Sequence, residues 1–249
     1  MATNEAKATL DAAYATPGIL AVAIALIASW LMANASQVPN LSLNVVMYYV
    51  AVVGILAWAT RFDPRKLSYR AQPLPIIEGE TPKQRLPPLL YIPLSILLFM
   101  VFSVITATVY MMMLGASVEP LPYSQAWPGV VAQFGVVAPL ETIAWQIIVP
   151  FTLIAGLEAR GLDRQRALML GIIIGNIPFA IMHVSSYGGW AIGPLLAVYA
   201  HGCLWSWGSY NYGVGCGIAS HAAFNCIVLG YFSAGADSIL QVMQSLGGV

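Results

Sequence analysis

Four ionisable side chains stand inside long apolar runs of this sequence: Glu141, His183, His201 and His221. A carboxylate can take a proton from water and an imidazole can accept, hold or pass one on, which is the equipment of general acid–base chemistry. Asn176 and Asn225 add amides able to bond a carbonyl or a developing oxyanion. Their spacing is helical. Phe179 and His183 are four apart and Asn176 precedes His183 by seven, so the three fall on nearly one face; His221 and Asn225 are again four apart. Glu141 follows Pro139 by two positions, and Pro128, Pro139 and Pro150 recur every eleven residues, about three helical turns. The three prolines are expected to share a face, each freeing a carbonyl and bending its helix, and a bent helix of that kind in lipid lines a cavity. His201 reads as a structural histidine.

The setting of these residues is unusual. The 249 residues carry ten positive and ten negative charges, 8% of the chain, and 59% are hydrophobic. A soluble domain is about 25% charged, so roughly forty charges are missing. Most of those present cluster in two loops, leaving runs of about twenty residues without Lys, Arg or Asp. This excludes a soluble enzyme and points to an integral membrane protein; zero net charge without a basic patch excludes nucleic acid as a partner. An ionisable group at mid-bilayer costs about 2.5–3.5 kcal/mol on insertion scales, so each of the four calls for a function or a partner. No Lys or Arg lies in any apolar run. That leaves Glu141 without a permanent cation and removes a retinal Schiff base from consideration.

The elements that must position these groups are expected to be all-α: a polytopic bundle of about seven transmembrane helices at 17–33, 42–59, 89–114, 129–156, 168–184, 191–208 and 216–234. Gly171 and Gly175 form a G-x-x-x-G that admits a close neighbour. The first run lacks the positive leading segment of a signal peptide and reads as a retained anchor. With seven spans, all ten positive residues fall on one side, which puts the N-terminus in the cytoplasm and the C-terminus outside; in a prokaryote the membrane would be the plasma or inner membrane. The proline-rich stretch 61–88 is a cytoplasmic loop, and 235–249 has an apolar helical spacing suited to the interface. Cys203, Cys216 and Cys226 show no C-x-x-C spacing and read as packing residues. One conflict arises. Glu141 and His183 fall in the outer half of the membrane and His221 near the inner start of its span, so either the glycine-rich stretch Gly208 to Gly217, a poor helix former, dips inward or the span ends lie a turn or two from these bounds; the first is expected.

The segments Glu141-Thr142-Ile143-Ala144-Trp145-Gln146, Phe179-Ala180-Ile181-Met182-His183 and His221-Ala222-Ala223-Phe224-Asn225 resemble, in order, the motifs E-E-x-x-x-R, F-x-x-x-H and H-x-x-x-N of the CAAX prenyl-protease and bacteriocin-processing (CPBP) intramembrane proteases. The resemblance covers about 129–232, within a single membrane domain of 1–249. It implies an intramembrane endopeptidase. Glu141 would be the general base that activates water, His183 would help hold that water, and His221 and Asn225 would orient it and polarise the scissile carbonyl. Glu141, His183 and His221 could also supply three ligands to a zinc ion with a fourth position open. The sequence departs from the motif at Thr142, in place of the second glutamate, and at Gln146, in place of the arginine.

Those departures keep a second reading open, a catalytically inactive scaffold or regulator of a partner membrane protein. A third is a haem or pigment carrier, ligated by histidines from different helices. The expected partners are membrane lipids and a peptide or membrane-protein substrate.

Overall fold

A computed structural model describes residues 2–34, 43–61, 90–98, 101, 133–184 and 192–225. Among them the regular elements are all helical, with no strand. They are α1 (Ala2–Ala33), α2 (Leu43–Ala59), α3 (90–98), α4 (133–159), α5 (Arg164–Gly175), α6 (Ile177–Met182), α7 (Ile192–Tyr212) and α8 (214–225). Two helical segments, Gly135–Ala159 and Arg164–Met182, are long and apolar enough to cross a membrane by length and composition; Pro17–Ala33 and Val46–Ala59 are apolar but shorter. Pro128, Cys226, the stretch 62–88, most of 89–114 and the segment 235–249 lie outside the described residues.

The rod α4 is not a uniform α-helix. It runs as a π-helix over Gln133–Val137, an α-helix over Ala138–Glu141, a second π-helix over Thr142–Ile148 and an α-helix over Val149–Ala159. Each π stretch ends just before an α segment that carries a proline in its first turn, Pro139 and Pro150. A proline lacks the amide proton and crowds the carbonyl four residues back; a widened turn relieves both without breaking the rod. The chain then reverses tightly. Gly161 takes a left-handed conformation (φ 89°) and the amides of Gly161 and Leu162 bond the carbonyls of Glu158 and Leu157, a Schellman closure. Asp163 caps α5 by accepting the amide of Arg166 at 3.0 Å.

That turn lays α5 antiparallel against α4. A Cβ on Gly175 would lie 2.8 Å from the Cα of Pro150, and one on Gly171 would strike Ile154. The G-x-x-x-G is therefore a backbone-to-backbone seam, as its spacing suggests. Helix α1 also runs antiparallel to α4: Gly18 packs on Thr152 and Leu153, while Ser29 accepts a hydrogen bond from Trp145.

The glycine-rich stretch departs from expectation. Helix α7 continues to Tyr212, breaks at the single residue Gly213 (φ 97°), and α8 begins at 214. Packing outweighs the weak helix propensity: the ring of Tyr91 occupies the space a Gly208 side chain would need, and Ser209 does so at Gly217. So α7 ends later, and α8 starts earlier, than the hydropathy runs suggest. His221 then sits about two turns into α8.

Gly175→Ala should destabilise the protein by about 1–3 kcal/mol, because the new methyl meets backbone that cannot yield. Gly54→Ala in α2, where nothing lies within 4 Å of the new Cβ, should be neutral or stabilising by about 0.5–1 kcal/mol. Unfolding of the two variants in detergent checks the contrast.

Candidate active site

Glu141 closes the short α segment of α4 and is 6% exposed. Its Oε1 accepts the hydroxyl of Tyr49 at 2.6 Å, and that hydroxyl also lies 3.8 Å from the sulfur of Met182. The Tyr49 ring stands edge-on to Trp145 at 5.7 Å, and the indole of Trp145 donates to Ser29 at 2.9 Å. The carboxyl is thus tied through α2 and α4 back to α1.

On the other side, Oε2 of Glu141 faces Nε2 of His221 at 3.6 Å. His221 is 2% exposed and packed on every side. Its Nδ1 lies 2.9 Å from the hydroxyl of Thr142, and that hydroxyl lies 2.8 Å from the carbonyl of Ala138. Trp205 of α7 stacks on the imidazole with ring centroids 3.8 Å apart and planes 14° from parallel.

Phe179 joins α6 to this pair. Its ring meets His221 edge-on at 6.0 Å and His183 at 4.6 Å. His183 is half-buried at the end of α6, with Nδ1 2.9 Å from the carbonyl of Phe179. No hydrogen bond or ion pair joins it to Glu141 or His221 among the described residues. Asn176 sits at the break between α5 and α6, where its amide donates to Ile172 (2.8 Å) and Ser206 (2.9 Å). Gly202 lets it and Phe179 approach α7 closely. This clamp sets where α6 leaves α5, and so where Phe179 and His183 stand.

The structure therefore brings Glu141 and His221 face to face and borders them with His183. Asn225, one turn beyond His221, is half-buried. Among the described residues no three His, Cys, Asp or Glu side chains converge on a point that could hold a metal ion. Glu141, His183 and His221 do not form a zinc set here. His201 is buried against Phe224 (4.6 Å) and Trp205 (5.6 Å), and so belongs to the same aromatic cluster.

Sequence reasoning missed Tyr49, Trp205 and the bond made by Thr142. Tyr49 carried a signal, a phenol in the middle of an apolar run that must find a partner. Trp205 carried none, because an indole four residues after His201 reads equally well as packing.

Compared with known protein families, with curated proteins and with solved structures, the chain matches none.

Tyr49→Phe should cost about 1–3 kcal/mol by leaving a buried carboxyl oxygen without its donor. The loss should largely vanish in a Glu141→Ala background. A double-mutant cycle on unfolding free energies measures that coupling.

Proposed function

We propose that the chain is an intramembrane endopeptidase of the CPBP type, a bundle of about seven spans with its N-terminus in the cytoplasm and its C-terminus outside. The distribution of side chains supports the membrane setting. Ile27, Trp30, Trp58, Met169, Leu196 and Trp207 are exposed, while Glu141, Thr142, Gln146, Asn176, Ser206 and His221 are buried. Apolar side chains outward and polar ones inward is the arrangement that lipid favours.

The observation that carries the enzymatic reading is the buried pair Glu141–His221, drawn from helices 80 residues apart in sequence and facing at 3.6 Å. In the proposed reaction the oxygen of a water molecule attacks the scissile carbonyl carbon while Glu141 takes one of its protons. Glu141 then passes that proton to the leaving nitrogen as the C–N bond breaks, and the water oxygen remains in the new carboxyl group. His221 orients the water, His183 borders the site, and Asn225 offers an amide to the carbonyl oxygen. The substrate is a peptide segment within or beside the membrane.

One observation favours the second reading, an inactive scaffold of the same fold. Gln146 is fully buried and neither polar atom of its amide has a hydrogen-bond partner among the described residues, at the position where the motif would put a fixed positive charge. The same experiment separates the two. The purified chain and Glu141→Gln, each reconstituted with a membrane proteome, are compared by mass spectrometry of new peptide termini. Proteolysis predicts termini that fall by about 10²–10⁴-fold in the variant. Identical patterns would dismiss the enzyme and leave the scaffold.

A further inference from the structure

The hydroxyl of Thr142 makes two short contacts, to the carbonyl oxygen of Ala138 at 2.8 Å and to Nδ1 of His221 at 2.9 Å. It has one proton to give. A carbonyl oxygen can only accept, so that proton must lie toward Ala138. The second contact is then a hydrogen bond only if Nδ1 of His221 is the donor. A neutral imidazole carries a single N–H, and with that proton on Nδ1 the other nitrogen presents a lone pair. That lone pair looks across 3.6 Å at Oε2 of Glu141, too far for a direct hydrogen bond.

We propose that Thr142 is a positioning residue that locks His221 in the Nδ1–H tautomer, so that His221 and Glu141 form a matched pair of acceptors closing on one water molecule. A water bonded to both would sit beside the 3.6 Å contact, its oxygen about 2.8 Å from each atom, and donate one hydrogen to each. Its oxygen lone pairs are left pointing away from both, toward an incoming carbonyl carbon. The lock is stiff at every joint. Thr142 is fully buried, and its hydroxyl is held back onto its own helix four residues earlier. The imidazole plane is held by the stacked indole of Trp205, which opposes a ring flip that would exchange Nδ1 for carbon. A hydroxyl at position 142 thereby does what a charged side chain would not: it accepts from the imidazole without adding charge to the pair.

The tautomer stands on the hydrogen-bond geometry alone; only its use on water rests on the proteolytic reading. The test is nitrogen NMR of the full chain in lipid nanodiscs with histidine labelled at both ring nitrogens, the His221 signals assigned by His183→Gln and His201→Gln. His221 is expected protonated at Nδ1 and bare at Nε2. Thr142→Ser should keep that pattern, and Thr142→Val, which swaps the hydroxyl for a methyl of similar size, should move the proton to Nε2. Finding His221 protonated at Nε2 in the parent chain, or an unchanged pattern in a folded Thr142→Val, overturns the proposal. If Thr142→Val does not fold, the parent chain and Thr142→Ser decide it alone. In the cleavage assay Thr142→Val should lower kcat by about 100-fold with KM little changed, and Thr142→Ser should restore it. An Nδ1–H signal without any Glu141-dependent cleavage keeps the lock and discards the protease; Glu141-dependent cleavage with an Nε2–H signal does the reverse.

Discussion

A carboxyl group buried between helices has to find its hydrogen-bond partners inside the protein, and Glu141 organises the bundle around that requirement. Tyr49 from α2 reaches one oxygen and His221 from α8 faces the other. Each of these groups needs a support of its own. Trp145 backs the phenol and is anchored on Ser29 of α1, while Thr142 and Trp205 fix the imidazole. The two contacts on Glu141 therefore draw in four helices besides α4 through α1, α2, α7 and α8. With Phe179 lying against His221, the segment α6 joins them.

Such convergence is only possible if the backbones come close, and the residues that allow it are those a propensity scale penalises. Gly171 and Gly175 let α5 lie on α4; Gly202 lets Asn176 and Phe179 reach α7. Prolines have the complementary effect. Pro139 and Pro150 each follow a π stretch, and the second of these, Thr142–Ile148, carries Thr142, Trp145 and Gln146 on a widened turn. Widening alters which residues align along the rod, so the direction each side chain takes differs from that of an ideal helix of 3.6 residues per turn.

How far the sequence could be read follows from this. Residue type and low charge pointed to Glu141, His183 and His221, because an ionisable group in an apolar run is conspicuous by itself. The G-x-x-x-G seam was legible, since small residues four apart have few other uses in a helix. Partners were not legible. Spacing reports which residues share a face of one helix, whereas Tyr49 to Glu141 and Thr142 to His221 are contacts across 92 and 79 residues. The glycine-rich stretch misled for a related reason. Intrinsic propensity speaks against a helix there, and only the neighbours Tyr91 and Ser209, which fill the missing side-chain space, decide for one. The prolines announced a strained rod without saying that π turns would absorb the strain.

Thr142 and Gln146 have a physical meaning as a pair. Both side chains are uncharged and fully buried, so neither adds a charge beside Glu141 and His221, and orientation must come from directed hydrogen bonds. A charge attracts from a range of angles. A hydroxyl whose single proton is already committed to Ala138 offers its lone pairs only over a narrow sector, and it offers them to a donor alone. Direction without charge narrows the arrangements His221 can adopt, while Glu141 is balanced by the phenol of Tyr49. A site built on those terms depends less on the sum of its charges than on how α8 is seated, and α7 seats it: Ser209 packs against Gly217, and Trp205 stacks on His221 one turn later.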